Sequence, residues 1–272
     1  MTAIANPIVE TYSRLAHEYD DDLNMKSCWG QASQKAIASI HLRSDEKLIA
    51  DVGCGTGRAV SSLAAHAAPD ISFVAVDPAA TMCEIARQRT DGDARITVSQ
   101  GSFEHIPLEN RSVDYLYSIL AFHWVTDLQA SVAEISRVLK PGGAMDLFFI
   151  GRNNGREFIQ KTSPIFLKYM GPARFLDSAR LRKQLTRESA LQLFSQHFDL
   201  GRLSVEESYD TYFDTLEGHW AWWVRIEGHF VKIPAQEKAA CDREVKDALE
   251  SLRGPNGIPY TIHQLHVSLR HS

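Results

Sequence analysis

Lys47 to Gly57 reads KLIADVGCGTG: an apolar run of strand length that ends in glycines at alternate positions, Gly53, Gly55 and Gly57. Glycine permits a tight turn and lets a ligand approach main chain where a Cβ would clash. The residues that follow, RAVSSLAAHA, carry small and apolar side chains at helical spacing. Working outward, ISFVAVD (Ile71–Asp77) reads as a second buried strand, AATMCEIARQR as a helix and RITVSQG as a third strand. SVDYLYSIL (Ser112–Leu120) gives a fourth strand and LQASVAEISRVLK a helix, which Pro141–Gly143 should stop before a fifth strand, AMDLFFI. Strands and helices that alternate at this spacing predict crossover units and a parallel α/β sheet.

On either side the pattern changes. Before Lys47, VETYSRLAHEYDD and GQASQKAIASIHL each show an apolar stripe and are expected to be helical. After Ile150 the alternation stops: Arg152 to Phe198 reads as mostly helical, broken at Gly171-Pro172. RLSVEESY and TIHQLHVSLRH are expected strands; LEGHWAWWVRIEGHF and PAQEKAACDREVKDALESL are expected helices. The sheet should therefore continue into the second half, with helical insertions in its later crossings.

The chain has 272 residues, of which 44% are hydrophobic, enough to bury a core without staples. Its 29 basic and 34 acidic residues leave a net charge of −5, the wrong sign for a general binder of nucleic acid or anionic membrane. No stretch approaches the ~20 apolar residues of a membrane span. The N-terminus lacks a charged head before an apolar segment, so no secretory signal is expected. Cys28, Cys54, Cys83 and Cys241 lie far apart, without CxxC spacing. A reduced, cytoplasmic protein without a metal, acting as a monomer or homodimer, is the expectation.

Asp77 ends the second strand twenty residues after Gly57. A carboxylate there suits the two hydroxyls of a ribose, and the amides at the start of the helix after the loop suit a polar ligand. Loop, strand and acid together point to a nucleoside. The dinucleotide fingerprint fails, because its last glycine would fall on Arg58, and the Walker lysine is absent. In order, the chain carries IADVGCGTGR, Asp77, GSFEHIPL and LKPGG. From about Thr11 to Ile150 it resembles the class I S-adenosylmethionine-dependent methyltransferases, in the group with the methyltransferase type 11 domain.

That resemblance implies a doubly wound, Rossmann-like, mostly parallel seven-stranded α/β sheet with helical cap insertions. Residues 1–46 would form a helical lid, 47–150 the cofactor-binding core, and 151–272 the rest of the sheet with the substrate cap. Asp51 and the backbone of Gly53, Cys54, Gly55 and Gly57 would hold the amino acid end of S-adenosylmethionine. Asp77 would take the ribose, Met82 would lie near the adenine, Ser102 and Phe103 would flank it, and Pro78 and Gly101 would also contact the cofactor. Ser102 stands where an acid commonly bonds the adenine amine. Ile119 and Leu120 would come closest to the sulfonium, Ser118 before them would also contact the cofactor, and Tyr12 and Tyr19 resemble lid tyrosines.

Sulfonium chemistry needs alignment and exclusion of water more than a triad. His123 in LAFHWV is a candidate base for an acceptor hydroxyl or amine, with a packed histidine as the alternative. His263 and His266, three apart on a strand, should face opposite sides; His219 and His229 are assigned nothing. Helical spacing puts Trp220 and Trp223 on one face and turns Trp222 away; this stripe either closes the pocket or packs the insertion onto the sheet. Arg152 to Arg187 holds nine Lys and Arg against two acids, which either draws an anionic or carrier-bound substrate or is a solvated helix face. A methyltransferase acting on a small metabolite, an anionic one among the options, leads the readings. The alternatives are an S-adenosylmethionine cyclase or lyase that releases methylthioadenosine, a malonyl-carrier-protein-like O-methyltransferase, and a cofactor-binding module without turnover.

Overall fold

The computed structural model describes residues 7–19, 25–180, 184–226 and 233–271. The run before the glycines forms β1 (Leu48–Val52), whose last four residues are buried. A central parallel strand is covered on both faces, which is why its sequence is apolar without alternation. β1 pairs in parallel with β2 (Ser72–Asp77) on one side and β4 (Val113–Ile119) on the other. β3 (Ile96–Gln100) extends the sheet from β2, and β5 (Leu139–Ile150) extends it from β4, both parallel. The crossings use α3 (Arg58–Ala64), α4 (Ala80–Thr90) and α5 (Leu128–Val138). The Asp127 carboxylate caps α5, accepting from the amides of Gln129 and Ala130 at 3.0 Å.

Beyond β5 the chain passes through α6 (Arg156–Arg180) and α7 (Arg187–Phe194) into β6 (Leu203–Asp214). It then runs through α8 (Leu216–Ile226) and α9 (Ala235–Glu250) into β7 (Ile258–Leu269). β7 inserts antiparallel between β5 and β6, giving the order β3-β2-β1-β4-β5-β7-β6. The order reverses between β1 and β4, and a crevice opens there outside the carboxyl ends of the strands. Two helices precede β1: α1 (Pro7–Leu15), continued by a 3-10 turn (Ala16–Glu18), and α2 (Cys28–Ser39). No helix among the described residues is long and apolar enough to cross a membrane.

Two sequence expectations are corrected. α5 ends at Val138, not at Lys140. Leu139 already pairs with Val113, and the register shifts before Tyr115 meets Ala144, so Pro141–Gly143 bulges within β5 rather than stopping a helix. The buried tryptophans are Trp222 and Trp223, at 3% and 5% exposure, whereas Trp220 is half-buried beneath the Lys246 ammonium at 4.6 Å. Helical spacing paired the wrong two because α8 is covered over a wide arc. Phe158 of α6, Tyr260 of β7 and Trp29 of α2 all pack on Trp222. The described basic residues between Arg152 and Arg187 line no part of the crevice. Most of them lie on α6, interrupted at Gly171 (φ 75°) as expected, with Lys168 paired to Glu244 on α9 at 2.7 Å. Arg182, Lys183, His229 and the end of the tryptophan-rich stretch lie outside the described residues.

His263 and His266 do face opposite sides. The His263 ring stacks on Tyr209 and lies 3.2 Å from Glu207, while His266 stacks on Phe148 and bonds Asp146. His219 bonds the Ile258 carbonyl and accepts from the Trp222 indole, so it serves the packing of the insertion.

Candidate functional site

A cavity of about 380 Å³ lies in the crevice, at the carboxyl ends of β1 to β4. Its floor is the glycine loop. Gly53, Gly55 and Gly57 have φ of 80°, 53° and 76°, the left-handed region that a Cβ disfavours. A Cβ on Gly53 would sit 2.3 Å from that of Ala121, but one on Gly55 would meet no protein atom within 4 Å. The first glycine is needed for packing; the second leaves main chain open to whatever occupies the cavity.

Asp77 ends β2 at the cavity wall. One carboxylate oxygen accepts from Gly55 N and the other from Ala79 N, both at 2.9 Å, so the group is oriented before any ligand arrives. Burial pushes its pKa up to about 6, against the pull of those two amides. Pro78 and Met82 continue the wall from β2 into α4, and Ser102 and Phe103 supply it from the end of β3. Ile119 and Leu120 close the β4 side. Leu120 holds φ at 54°, an uncommon conformation for a branched residue, fixed by its N–H bond to Phe148 O at 2.7 Å. Tyr12 and Tyr19 cover the top with ring centroids 5.8 Å apart, and Tyr12 meets Trp124 at 6.4 Å.

A smaller cavity of about 100 Å³ shares Tyr19, Gly53, Gly55 and Ile119 with the first and runs under α2. Asp51 and Cys54 line it, with Trp29, Gln34, Thr56 and Arg58. Asp51 Oδ2 is buried and has no hydrogen-bond partner among the described residues. Burial drives this carboxyl up to about 7, partly offset by the Tyr117 hydroxyl and reinforced by the nearby Asp77 charge. A buried carboxylate oxygen left unbonded is costly unless a donor comes from a ligand.

Four residues singled out in the sequence line neither cavity. Gly57 starts α3, Gly101 N bonds Asp77 O, and Ser118 is fully buried. His123, read as a base at the cleft mouth, is buried instead, with Nδ1 accepting from Ile150 N at 3.4 Å and its ring packed on Trp124. The 3-10 turn Phe122–Trp124 directs Trp124 into the cavity and His123 toward β5.

Sequence reading missed part of the wall. Ile8 and Val9 come from α1, and Ala121, Trp124, Val125 and Thr126 from the segment after β4. The missed residue of most chemical interest is Glu104, the sole acid of GSFEHIPL. Its Oε1 accepts from Thr126 N at 2.6 Å, Thr126 Oγ1 at 2.8 Å and Asp127 N at 3.2 Å. These bonds outweigh its burial and hold its pKa below the usual glutamate range.

Residues 50–146 match a family model described as a methyltransferase domain. The chain is 33% identical over 136 residues to the malonyl-[acyl-carrier protein] O-methyltransferase of Yersinia pestis, covering 50% of this chain and 47% of that protein. It is 30% identical over 139 residues to the demethylmenaquinone methyltransferase of Symbiobacterium thermophilum, covering 49% and 55%. The chain thus spans about half the length of the curated relatives it matches. Among solved structures it is similar in fold to the YcgJ protein of Bacillus subtilis, with a TM-score of 0.59 and 18% identity over 89% of this chain and 99% of that one.

Proposed function

We propose that this chain, whose residues 50–146 match a methyltransferase domain, is a class I S-adenosylmethionine-dependent methyltransferase that binds its cofactor across the two cavities and methylates a small-molecule acceptor. One observation carries the reading: the Asp77 carboxylate, pre-oriented by Gly55 N and Ala79 N, faces a cavity floored by side-chain-free main chain. The unbonded oxygen of Asp51 supports it, since an ammonium group would supply the missing donor. Bound there, the cofactor brings a methyl group on cationic sulfur. The chain's own part is to hold the ribose at Asp77, seat the amino acid end beside Asp51, and exclude water beneath Tyr12, Tyr19 and Trp124. No side chain needs to activate the leaving thioether, so the inward turn of His123 does not count against the reaction.

Purified protein incubated with methyl-labelled S-adenosylmethionine is expected to form S-adenosylhomocysteine only when a small-molecule extract supplies an acceptor. Methylthioadenosine formed without any acceptor would establish internal displacement in its place.

Affinity should also depend on pH. Asp77 must be ionised to accept from two hydroxyls, and its value of about 6 in the free protein lies above that of an ordinary carboxyl. Asp51, raised to about 7 where the ammonium would sit, loses charge in the same range, so binding of S-adenosylhomocysteine, followed by calorimetry, is expected to be level above about pH 8, to weaken as pH falls through 7 and to weaken more steeply below pH 6. Affinity unchanged down to pH 5 would contradict the ribose assignment.

A further inference from the structure

The walls of the larger cavity limit what can be methylated there. Apart from the residues assigned to the cofactor, the described lining is mostly aliphatic and aromatic, with Ile8, Val9 and Trp124 its bulkiest members. The charged side chains among the described lining residues are two carboxylates, Asp77 and Glu104, without a Lys, Arg or His. Arg58 lines the smaller cavity but not the larger, and the described basic residues between Arg152 and Arg187 line neither. An anionic acceptor would give up its hydration beside two acids, with no described cation to replace the lost water. Positive charge, by contrast, is favoured near aromatic rings such as those of Tyr12 and Trp124.

Among the described residues, the same walls also hold no side chain suited to take a proton from an acceptor. The donors of Thr126 and Asp127 keep Glu104 below the usual glutamate range, which makes it a weak base. Burial raises the Tyr12 hydroxyl well above the ordinary tyrosine value, so it stays protonated. Asp77 is taken by the ribose in the reading above, and His123 is turned toward β5 with Nδ1 accepting from Ile150 N. A neutral hydroxyl is a poor nucleophile until its proton leaves, whereas a nitrogen lone pair needs no base.

We propose that the acceptor is an uncharged nitrogen on an apolar aromatic body, an aromatic amine or a nitrogen heterocycle, and that carboxylates are excluded. The inference rests on the methyltransferase reading above and names the acceptor class for it. The nitrogen lone pair forms the new N–C bond as the C–S bond breaks, and the electrons of that bond stay on sulfur. Positive charge passes from sulfur to nitrogen, and no proton has to leave for the transfer to occur. The charge moves within a cavity whose charged walls are acidic.

Two measurements on the full chain test this. In the first, protein saturated with S-adenosylhomocysteine is titrated in a calorimeter with N-methylisoquinolinium, an aromatic cation of the product type, and with 2-naphthoate, an anion of matching size. The cation is expected to bind at least about tenfold more tightly, since a like charge set against the acidic wall is repelled. Equal affinities, tighter binding of 2-naphthoate, or no binding of the cation would overturn the proposal. In the second, S-adenosylmethionine with a heavy-carbon methyl group is supplied with a small-molecule extract of cells grown on heavy-nitrogen ammonium. The methyl signal of the product is expected to show one-bond carbon–nitrogen coupling, and a methylated product without it would overturn the proposal. Failure of S-adenosylhomocysteine to bind, or the absence of any methylated product, would instead overturn the methyltransferase reading itself.

Discussion

Asp77→Asn is expected to lower affinity for S-adenosylhomocysteine by at least about a hundredfold while leaving the unliganded fold intact. Each ribose hydroxyl bonded to a carboxylate contributes about 1.5–3 kcal/mol, and an amide has only one oxygen to accept with. Stability should move the other way. Burial raises the Asp77 carboxyl to about 6, so keeping it ionised at pH 8 costs the fold on the order of 3 kcal/mol. A neutral amide removes that cost, although only one of the amides of Gly55 and Ala79 keeps its acceptor. The melting temperature of the variant at pH 8 is therefore expected to equal or exceed that of the unaltered protein, as when a binding group is held at the expense of stability. A variant that binds normally, or one that unfolds, would show Asp77 to be a structural cap instead.

Alanine substitutions at Gly53 and Gly55 are expected to separate folding from binding along one loop. Both glycines have positive φ, so either alanine brings a backbone penalty of about 1–2 kcal/mol. At Gly53 the new Cβ would lie 2.3 Å from the Ala121 Cβ, at the junction of the β1 and β4 ends. Overpacking there adds about 1–3 kcal/mol, so Gly53→Ala should melt far lower and lose binding as a consequence. At Gly55, which lines both cavities, the Cβ meets no described protein atom within 4 Å. Gly55→Ala should therefore stay folded yet bind at least about tenfold more weakly, because main chain and ligand no longer approach closely. Denaturant melts paired with calorimetry separate the two outcomes. Equal losses of stability in both variants would contradict the packing difference.

The parts of the fold that local pattern governs were open to sequence reading. Strand length and burial made β1, β2, β4 and most of β5 legible, and the spacing from glycine loop to Asp77 located the site. What escaped depended on partners distant in the chain. Whether Pro141–Gly143 ends a helix or bulges in a strand is settled by Val113 pairing with Leu139. β6 runs on to Asp214, well past the expected Tyr209, because β7 pairs with it along its whole length. The tryptophans were sorted by an ideal helical face, whereas packing from α2, α6 and β7 covers two of them. His123 and Trp124 illustrate the same limit: a single 3-10 turn decides which of the two faces the cavity. Glu104 was overlooked because its neighbour Ser102 held the position where an acid was sought. Only the folded loop shows that the acid two residues later reaches the same wall.

Calorimetry of the unaltered protein with S-adenosylhomocysteine, run beside a pyridine dinucleotide, bears most directly on the whole account. A saturable heat at one site per chain with the first ligand, and none with the second, is expected. Heat from the dinucleotide alone would contradict it, since Arg58 in place of a third glycine would then be no barrier to a pyrophosphate.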